Sequence, residues 1–277
     1  MSNNPNEIFP PLPEGFSLPF YYASVNAIWM YYKVDRKKVA PYLKDIALKP
    51  ALFDRQALVL LNFQRYTGFI SGLVSVVNEI QFNIIAYPSV LAAQAPAISF
   101  ADFLAGGEQT KTLGAYRLYV PADNPFAVKA GNELFYEPTF LTTFTYTVPD
   151  INDPSQKSWV VSCNDPVEPT QTIFTLQVDA HPPGLALSAM SPIMQYTRDP
   201  TGRLFAYSWN VFGAFESALL DDGPKLVFGQ SSHAMREAMQ ELLDGVPAAG
   251  MQTFETPPVA TSTRGYLVQP NAQLKFR

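Results

Sequence analysis

Period-two alternation of apolar and polar residues recurs along this chain and most constrains what it can fold into. In FLTTFTYTV (140–148), Phe144, Tyr146 and Val148 share one face and Thr143, Thr145 and Thr147 the other. In TIFTLQVDA (172–180), Phe174, Leu176 and Val178 oppose Thr175, Gln177 and Asp179. AYRLYV (115–120) sets Tyr116, Leu118 and Val120 against Arg117 and Tyr119. Successive side chains of a strand point to opposite faces, so each segment predicts a strand with one apolar face. ALVLLNF (57–63) and IQFNIIAYP (80–88) predict strands that are buried on both faces or that line an enclosed space. The prolines, 25 in all, are dispersed, as many short strands joined by proline-bearing turns require.

Helices are few. SSHAMREAMQELLDG (231–245) predicts a serine-capped helix with an apolar stripe from Ala234 and Met235 to Leu242 and Leu243, ended by Gly245; its methionines read as packing. VDRKKVAPYL (34–43) predicts a short helix capped by Asp35 and limited by Pro41. DNPFAVKAGNEL (123–134) opens with Asn124 as cap and Pro125 at the first helical position. No repeat or linker divides the chain, so residues 1–277 read as one domain. Residues 1–15 form a polar, proline-rich tail, and residues 246–265 an extended one that wraps the body or reaches a neighbouring subunit.

Net charge is −5 with no basic cluster, which argues against nucleic acid and anionic membrane as partners. The first residues lack the pattern of a secretory signal, and the longest apolar candidate, FISGLVSVV (69–77), is short and broken by Ser71 and Gly72. Cys163 is the single cysteine and reads as a small strand residue; with no internal disulfide possible, a reducing, cytoplasmic location is expected. His181 and His233 are the only histidines and lack zinc-ligand spacing, and Ser231, Ser232 and His233 read as a capping cluster. Glycine-rich nucleotide loops and a nucleophile elbow are absent, so no metal and no cofactor are expected.

The run GAYRLYVPADNPFAVKAGNELFYEP (114–138) resembles the acetoacetate decarboxylase superfamily. It has the strand ending in Asp123-Asn124, the apolar helix PFAVKA, the Gly131-Asn132-Glu133-Leu134 motif, and Pro138 directly before the position of the Schiff-base lysine. NFQRYTGFISGLVSVVNEIQF (62–82) is similar to the strand pair that carries the family's substrate-facing glutamate, which falls at Glu79. PFYYASVNAIWMYYKVDRKKVAPYL (19–43) is similar to its aromatic strand and short helix. The resemblance spans about residues 19–140. It implies a β-rich α+β fold in which an antiparallel sheet closes into a cone-like barrel around the active site, with a few short helices, in a homo-oligomer.

The departures from that pattern define the candidate site. Thr139 and Phe140 stand where the two lysines would be. The family's arginine maps near Val25, its second pocket carboxylate to Gln64, and a usually aromatic position to Glu137. The resemblance therefore implies a pocket that has lost two cations and an arginine, kept Glu79 and gained Glu137, with Tyr136 and Phe140 near its mouth. Its substrate should be less anionic and more apolar than a small keto acid. Glu79 and Glu137 are the candidate catalytic residues; Gln64, Val25, Tyr136, Thr139 and Phe140 are the candidate substrate-binding ones.

Glu79 lies among Val76, Val77, Ile80 and Phe82, a context that raises a carboxylate pKa and suits a general acid or base, or else a structural acceptor. Were Glu79 and Glu137 both to point inward, they would titrate as a coupled pair; Glu137 reads equally as an exposed loop carboxylate. Glu133 reads as an anchor between helix and sheet. Lys129, at i and i+4 with Glu133, reads as a solvated ion pair or as a displaced nucleophile, and Lys225 as a strand-edge residue. The expected function is non-covalent acid–base chemistry on a hydrophobic carbonyl or β-keto compound: enolisation, dehydration, cyclisation or decarboxylation, in secondary metabolism. The alternatives are a small-molecule binding protein or a structural subunit on the same scaffold. Thr139 is expected on the cavity floor opposite Glu79, and an ammonium inside the barrel would overturn the non-covalent reading.

Overall fold

Phe20–Asp35 (β1) shows how alternation builds the molecule. Ile28, Met30, Tyr32 and Val34 pack into one apolar cluster, and Ala27, Trp29 and Tyr31 into another on the opposite side of the sheet. The computed structural model describes residues 8–70, 72–108, 110–149, 155–179, 186–189, 193–212, 214–254, 259–262 and 264–268.

After β1 come the short helix α1 (Arg36–Val39), β2 (Leu48–Pro50), β3 (Leu52–Phe53) and the long hairpin of β4 (Gln56–Ile70) and β5 (Leu73–Pro88). Then follow α2 (Phe100–Leu104), β6 (Gly114–Ala122), α3 (Pro125–Leu134), β7 (Thr139–Leu141), β8 (Phe144–Thr147), β9 (Ser158–Asn164), β10 (Thr172–Asp179) and β11 (Ala186–Ala189). The last third adds β12 (Ile193–Arg198), β13 (Leu204–Phe212), β14 (Ala214–Leu219), β15 (Val227–Phe228), α4 (Ala234–Leu243), β16 (Gly250–Phe254), β17 (Val259–Ser262) and β18 (Tyr266–Leu267).

Pairing in the large sheet leads from β1 through β4, β5, β6, β12, β13 and β17 back to β1. Most of these pairs are antiparallel, as expected, but β6 runs parallel to both β12 and β7. A smaller sheet, ordered β15–β10–β9–β8, packs with α4 against the face that carries Ile28 and Met30. The opposite face, called inner below, is covered by α2 and α3.

Within the extended segment expected at 246–265, β16 and β17 both pair with β1, while residues 255–258 and 263 lie outside the described residues. His181 and residues 1–7 also lie outside them. In α4 the cap differs from the expected serine. His233 Nδ1 accepts from Met235 N at 3.2 Å, because the Ser231 hydroxyl is taken by Asp165. Cys163 is buried and its thiol is pushed above its ordinary range by that burial, as suits a packing residue. No helix among the described residues is long and apolar enough to cross a membrane.

Candidate functional site

The site grows from polar residues at alternate positions in two otherwise apolar strands. Asn62, Gln64 and Tyr66 on β4 and Glu79, Gln81 and Asn83 on β5 turn the same way, since period two places i and i+2 on one face. Gln64 stands opposite Glu79 in the ladder, and Asn62 opposite Gln81. Arg117 joins them from β6 through a bulge. Asn83 pairs with Arg117 and Phe82 with Tyr119, leaving Leu118 as the extra residue. Arg117 therefore faces inward, while Tyr119 packs on the other side near His233.

Helix α3 delivers the remaining carboxylate. Asn124 Oδ1 accepts from Phe126 N and Ala127 N, fixing the start of the helix. At its end Phe135 N and Glu137 N both donate to Gly131 O, and Tyr136 takes a left-handed backbone conformation with φ +54°. The chain thus turns back beneath the helix. A Cβ on Gly131 would run into Thr139 Cγ2 and stand 3.1 Å from Glu137 Oε2, so only glycine lets this segment pass so close. The turn points Glu137 into the cavity.

The cavity under α3 is lined by Phe20, Tyr22, Phe135 and Trp209 around the polar groups Gln64, Tyr66, Glu79, Gln81, Arg117, Glu137 and Tyr207. Arg117 Nε lies 3.1 Å from Glu137 Oε1, with side chains 3% and 9% exposed. Arg117 also donates to Gln81 Oε1 and, at 2.9 Å, to Asn83 Oδ1. Tyr207 donates its hydroxyl to Glu137 Oε1. Glu79 accepts from Gln64 Nε2 at 2.9 Å, Tyr66 Oη at 3.1 Å and Gln81 Nε2.

Electrostatics follow from burial first. Loss of water, then the charge of Glu137, push the Glu79 carboxyl up to about 7, against the opposing pull of Arg117 and its hydrogen bonds to Gln81 and Tyr66. Burial would lower Arg117, but Tyr207, Glu137 and Glu79 outweigh it and hold the guanidinium charged. Burial, reinforced by Glu79 at Tyr66 and by Glu137 at Tyr207, keeps both phenols neutral donors. The arrangement offers one carboxyl poised near neutrality beside a fixed, compensated ion pair.

Of the residues singled out in the sequence, Glu79, Glu137 and Gln64 meet in this cavity. The other four do not line it. Val25 is buried in the inner-face packing. Tyr136 stands edge-on to Phe205 with ring centroids 5.0 Å apart. Phe140 lies on the far side of the sheet against His233, at 4.5 Å. The Thr139 hydroxyl donates to Val128 O at 2.9 Å, so it serves the helix rather than the cavity floor. Lys129 and Glu133 are half-exposed and 3.9 Å apart, and Lys225 is exposed.

Arg117, Tyr66, Gln81 and Tyr207 were not singled out by sequence reasoning. The signal available for Gln81 and Tyr66 was the alternation NEIQFN and NFQRY, polar at every second position within apolar strands. Arg117 corrects the expectation that the pocket has lost its cations: a guanidinium arrives from a different strand.

A second cavity adjoins the first on the inner face, beneath α2 and the following loop. Gln81 and Arg117 line both cavities. Trp29 on its side stacks against Trp209 of the first, with ring centroids 5.9 Å apart. Lys111 lines this second cavity, so an amine does reach the inner face, the finding expected to count against a non-covalent reading, although it is not among the residues lining the Glu79 cavity. Its Nζ donates to Glu108 O at 2.5 Å, and burial lowers its pKa.

No family model and no curated protein matches the sequence. Solved structures do. The enduracididine biosynthesis enzyme MppR with HEPES buffer bound superposes with a TM-score of 0.60 at 13% identity, over 92% of this chain and 89% of that one. An acetoacetate decarboxylase-like enzyme from Sphingomonas wittichii RW1 superposes with a TM-score of 0.59 at 14% identity, over 91% and 92%. The chain has the acetoacetate decarboxylase-like fold. The acetoacetate decarboxylase from Legionella pneumophila agrees, with a TM-score of 0.57 at 10% identity over 96% and 94%. Among the described residues, no lysine lines the cavity that holds Glu79.

Proposed function

We propose that this protein is an acetoacetate decarboxylase-like enzyme that moves protons on an apolar carbonyl compound without a covalent intermediate, using Glu79. The observation that supports this most is a buried carboxyl near neutrality in one cavity with the Arg117–Glu137 pair and, among the described residues, no lining lysine. Glu79 takes the proton from the carbon next to the carbonyl, becoming neutral as the substrate becomes an enolate. Arg117 and, once Glu79 carries the proton, the neutral Tyr66 phenol would stabilise negative charge on the substrate oxygen. Returning the proton elsewhere gives isomerisation; enolisation also opens dehydration and cyclisation, and loss of carbon dioxide reaches the same enolate from a β-keto acid. Glu137 compensates Arg117 and Gln64 orients Glu79. A place in secondary metabolism is part of this proposal, supported by the biosynthetic role printed for MppR.

We further read the circuit of strand pairings as the cone-like barrel, the chain as one domain and the protein as cytoplasmic. A homo-oligomer belongs to the same reading. Tyr21, Phe69, Val74 and Val76 are exposed together on β1 and the β4–β5 hairpin, an apolar patch suited to a second copy.

The test follows deuterium exchange next to the carbonyl of 4-phenylbutan-2-one by NMR. Wild type should accelerate exchange, and Glu79→Gln should lose it by about 100-fold or more while still binding the ketone. Tight binding with no exchange by wild type would make the protein a carrier. A second reading rests on Lys111, whose lowered pKa suits an amine nucleophile. Borohydride with the same ketone should leave the protein mass unchanged; an adduct lost in Lys111→Met would put that reading in place of ours.

A further inference from the structure

Four buried side chains of the inner face close a ring of hydrogen bonds. Arg117 donates from Nη1 to Gln81 Oε1 and, at 2.9 Å, to Asn83 Oδ1. Asn83 Nδ2 donates to Asn62 Oδ1 at 3.3 Å, and Asn62 Nδ2 to Gln81 Oε1 at 2.9 Å. A guanidinium has donors and no acceptor, so it sets the direction of every bond in the ring. The oxygen of Asn83 must face Arg117, its nitrogen must then face Asn62, and the nitrogen of Asn62 must face Gln81. Both routes from Arg117 turn the Gln81 oxygen into the ring. The Gln81 amide nitrogen is left pointing out of it, and it donates to Glu79 Oε1. Gln64 Nε2 donates to the same oxygen at 2.9 Å. The other oxygen, Oε2, meets the Tyr66 hydroxyl at 3.1 Å. A proton on Oε1 would point at two N–H donors, which cannot accept it. A hydroxyl can turn to accept, so a proton on Oε2 has a partner.

We propose that Gln81 is a positioning residue: held one way round by Arg117 and Asn62, it makes Oε2 the oxygen through which Glu79 takes and returns its proton. Neutral Glu79 then has its carbonyl at Oε1, bonded by two amides, and its hydroxyl at Oε2, donated to Tyr66 Oη. That frees the Tyr66 hydrogen to turn to a substrate oxygen in the cavity both residues line. The step balances. The C–H bond next to the substrate carbonyl breaks, its proton forms the Oε2–H bond, its electron pair becomes the enolate, and Tyr66 donates to the enolate oxygen. This use of Oε2 in catalysis rests on the proposed function; its protonation in the resting protein does not.

Infrared spectroscopy of the ligand-free protein tests it, because the C=O stretch of a carboxylic acid falls in frequency when the carbonyl oxygen accepts hydrogen bonds. The band to follow disappears as pH rises through about 7 and is missing in Glu79→Gln. In wild type it should lie below the band of monomeric acetic acid in a hydrocarbon solvent. In Gln81→Met it should move to higher frequency, and its midpoint should rise by about one pH unit, since a donor to the charged carboxylate is lost. A wild-type band at the free-carbonyl frequency would overturn the proposal, and that result needs no variant to fold. A Gln81→Met protein that loses stability but keeps the band and its midpoint would overturn it too, leaving Gln81 a structural residue only. The expected band without Glu79-dependent exchange of the ketone would sink the proposed function and leave the arrangement; exchange with a free-carbonyl band would do the reverse.

Discussion

The two inner-face cavities share a wall and differ in almost everything else. Beneath α3, the polar side chains close on one another: amides of β4 and β5 fix Glu79, and Glu137 and Tyr207 fix Arg117. Beneath α2, aromatic rings dominate. The first has its electrostatics set before any ligand arrives, which is what stabilising a developing charge requires. The second is lined mainly by apolar and aromatic side chains. One sheet face can carry both because period two lets each strand supply polar residues near one end and apolar ones near the other: Tyr66 and Gln64 against Leu60 on β4, and Glu79 against Ile85 on β5.

Breaking the polar cavity should have the largest effect. Arg117→Met leaves Glu137 buried without its cation, at a cost of about 3–5 kcal/mol read from urea unfolding. Adding Glu137→Gln should recover most of that loss. Gln195→Leu in the neighbouring cavity removes an unsatisfied acceptor and should leave stability unchanged or raised. Equal losses at the two positions would mean that the contrast between the cavities is not electrostatic.

How much of this contrast the sequence displays depends on distance along the chain. The faces of β8 and β10 and the start of α3 at Pro125 follow from local alternation and capping, and the structure has them. The carboxylate and amide at Glu79 and Gln64 were reached through a motif resemblance that spans their hairpin. Arg117 was legible as a polar residue on a strand, but its direction was not. That direction depends on a bulge against β5 and on parallel pairing with β12, some 80 residues away, neither of which leaves a local mark. Thr139 and Phe140 miss the cavity for a similar reason. The φ of Tyr136 and the tight passage over Gly131 decide which of residues 137–140 turns inward, and Glu137 is the one that does.

The second effect sharpens the comparison through pH. The folded protein holds the Glu79 proton up to about pH 7, whereas the unfolded chain releases it near the ordinary value of 4.5. The contribution to stability is therefore complete below pH 4.5 and is lost as pH rises through 7, by roughly 3 kcal/mol in all. Glu79→Gln should flatten this part of the stability profile and be the more stable protein at pH 8. Denaturant midpoints measured from pH 4 to 8 check it; parallel profiles for the two proteins would show that Glu79 titrates as an ordinary exposed carboxyl.

The smallest effect concerns the helices that cover the two cavities. Asn124 caps α3 with two backbone bonds and also donates to Ser75 Oγ at 2.7 Å, tying the helix to β5. Ser99 caps the five-residue α2 through Asp102 N alone, and it is exposed. Asn124→Ala should cost about 1 kcal/mol, and Ser99→Ala about half as much. Hydrogen exchange at the amides of Phe126 and Ala127 should speed up by about the factor that 1 kcal/mol implies, roughly five-fold. Because Glu137 is aimed by the far end of α3, loosening Asn124 should also disturb the polar cavity, whereas loosening Ser99 should leave Glu79 titrating as before. A pH profile of Ser99→Ala that shifts along with its stability would mean that α2 supports the ion pair as well, and that the two cavities behave as one cooperative unit.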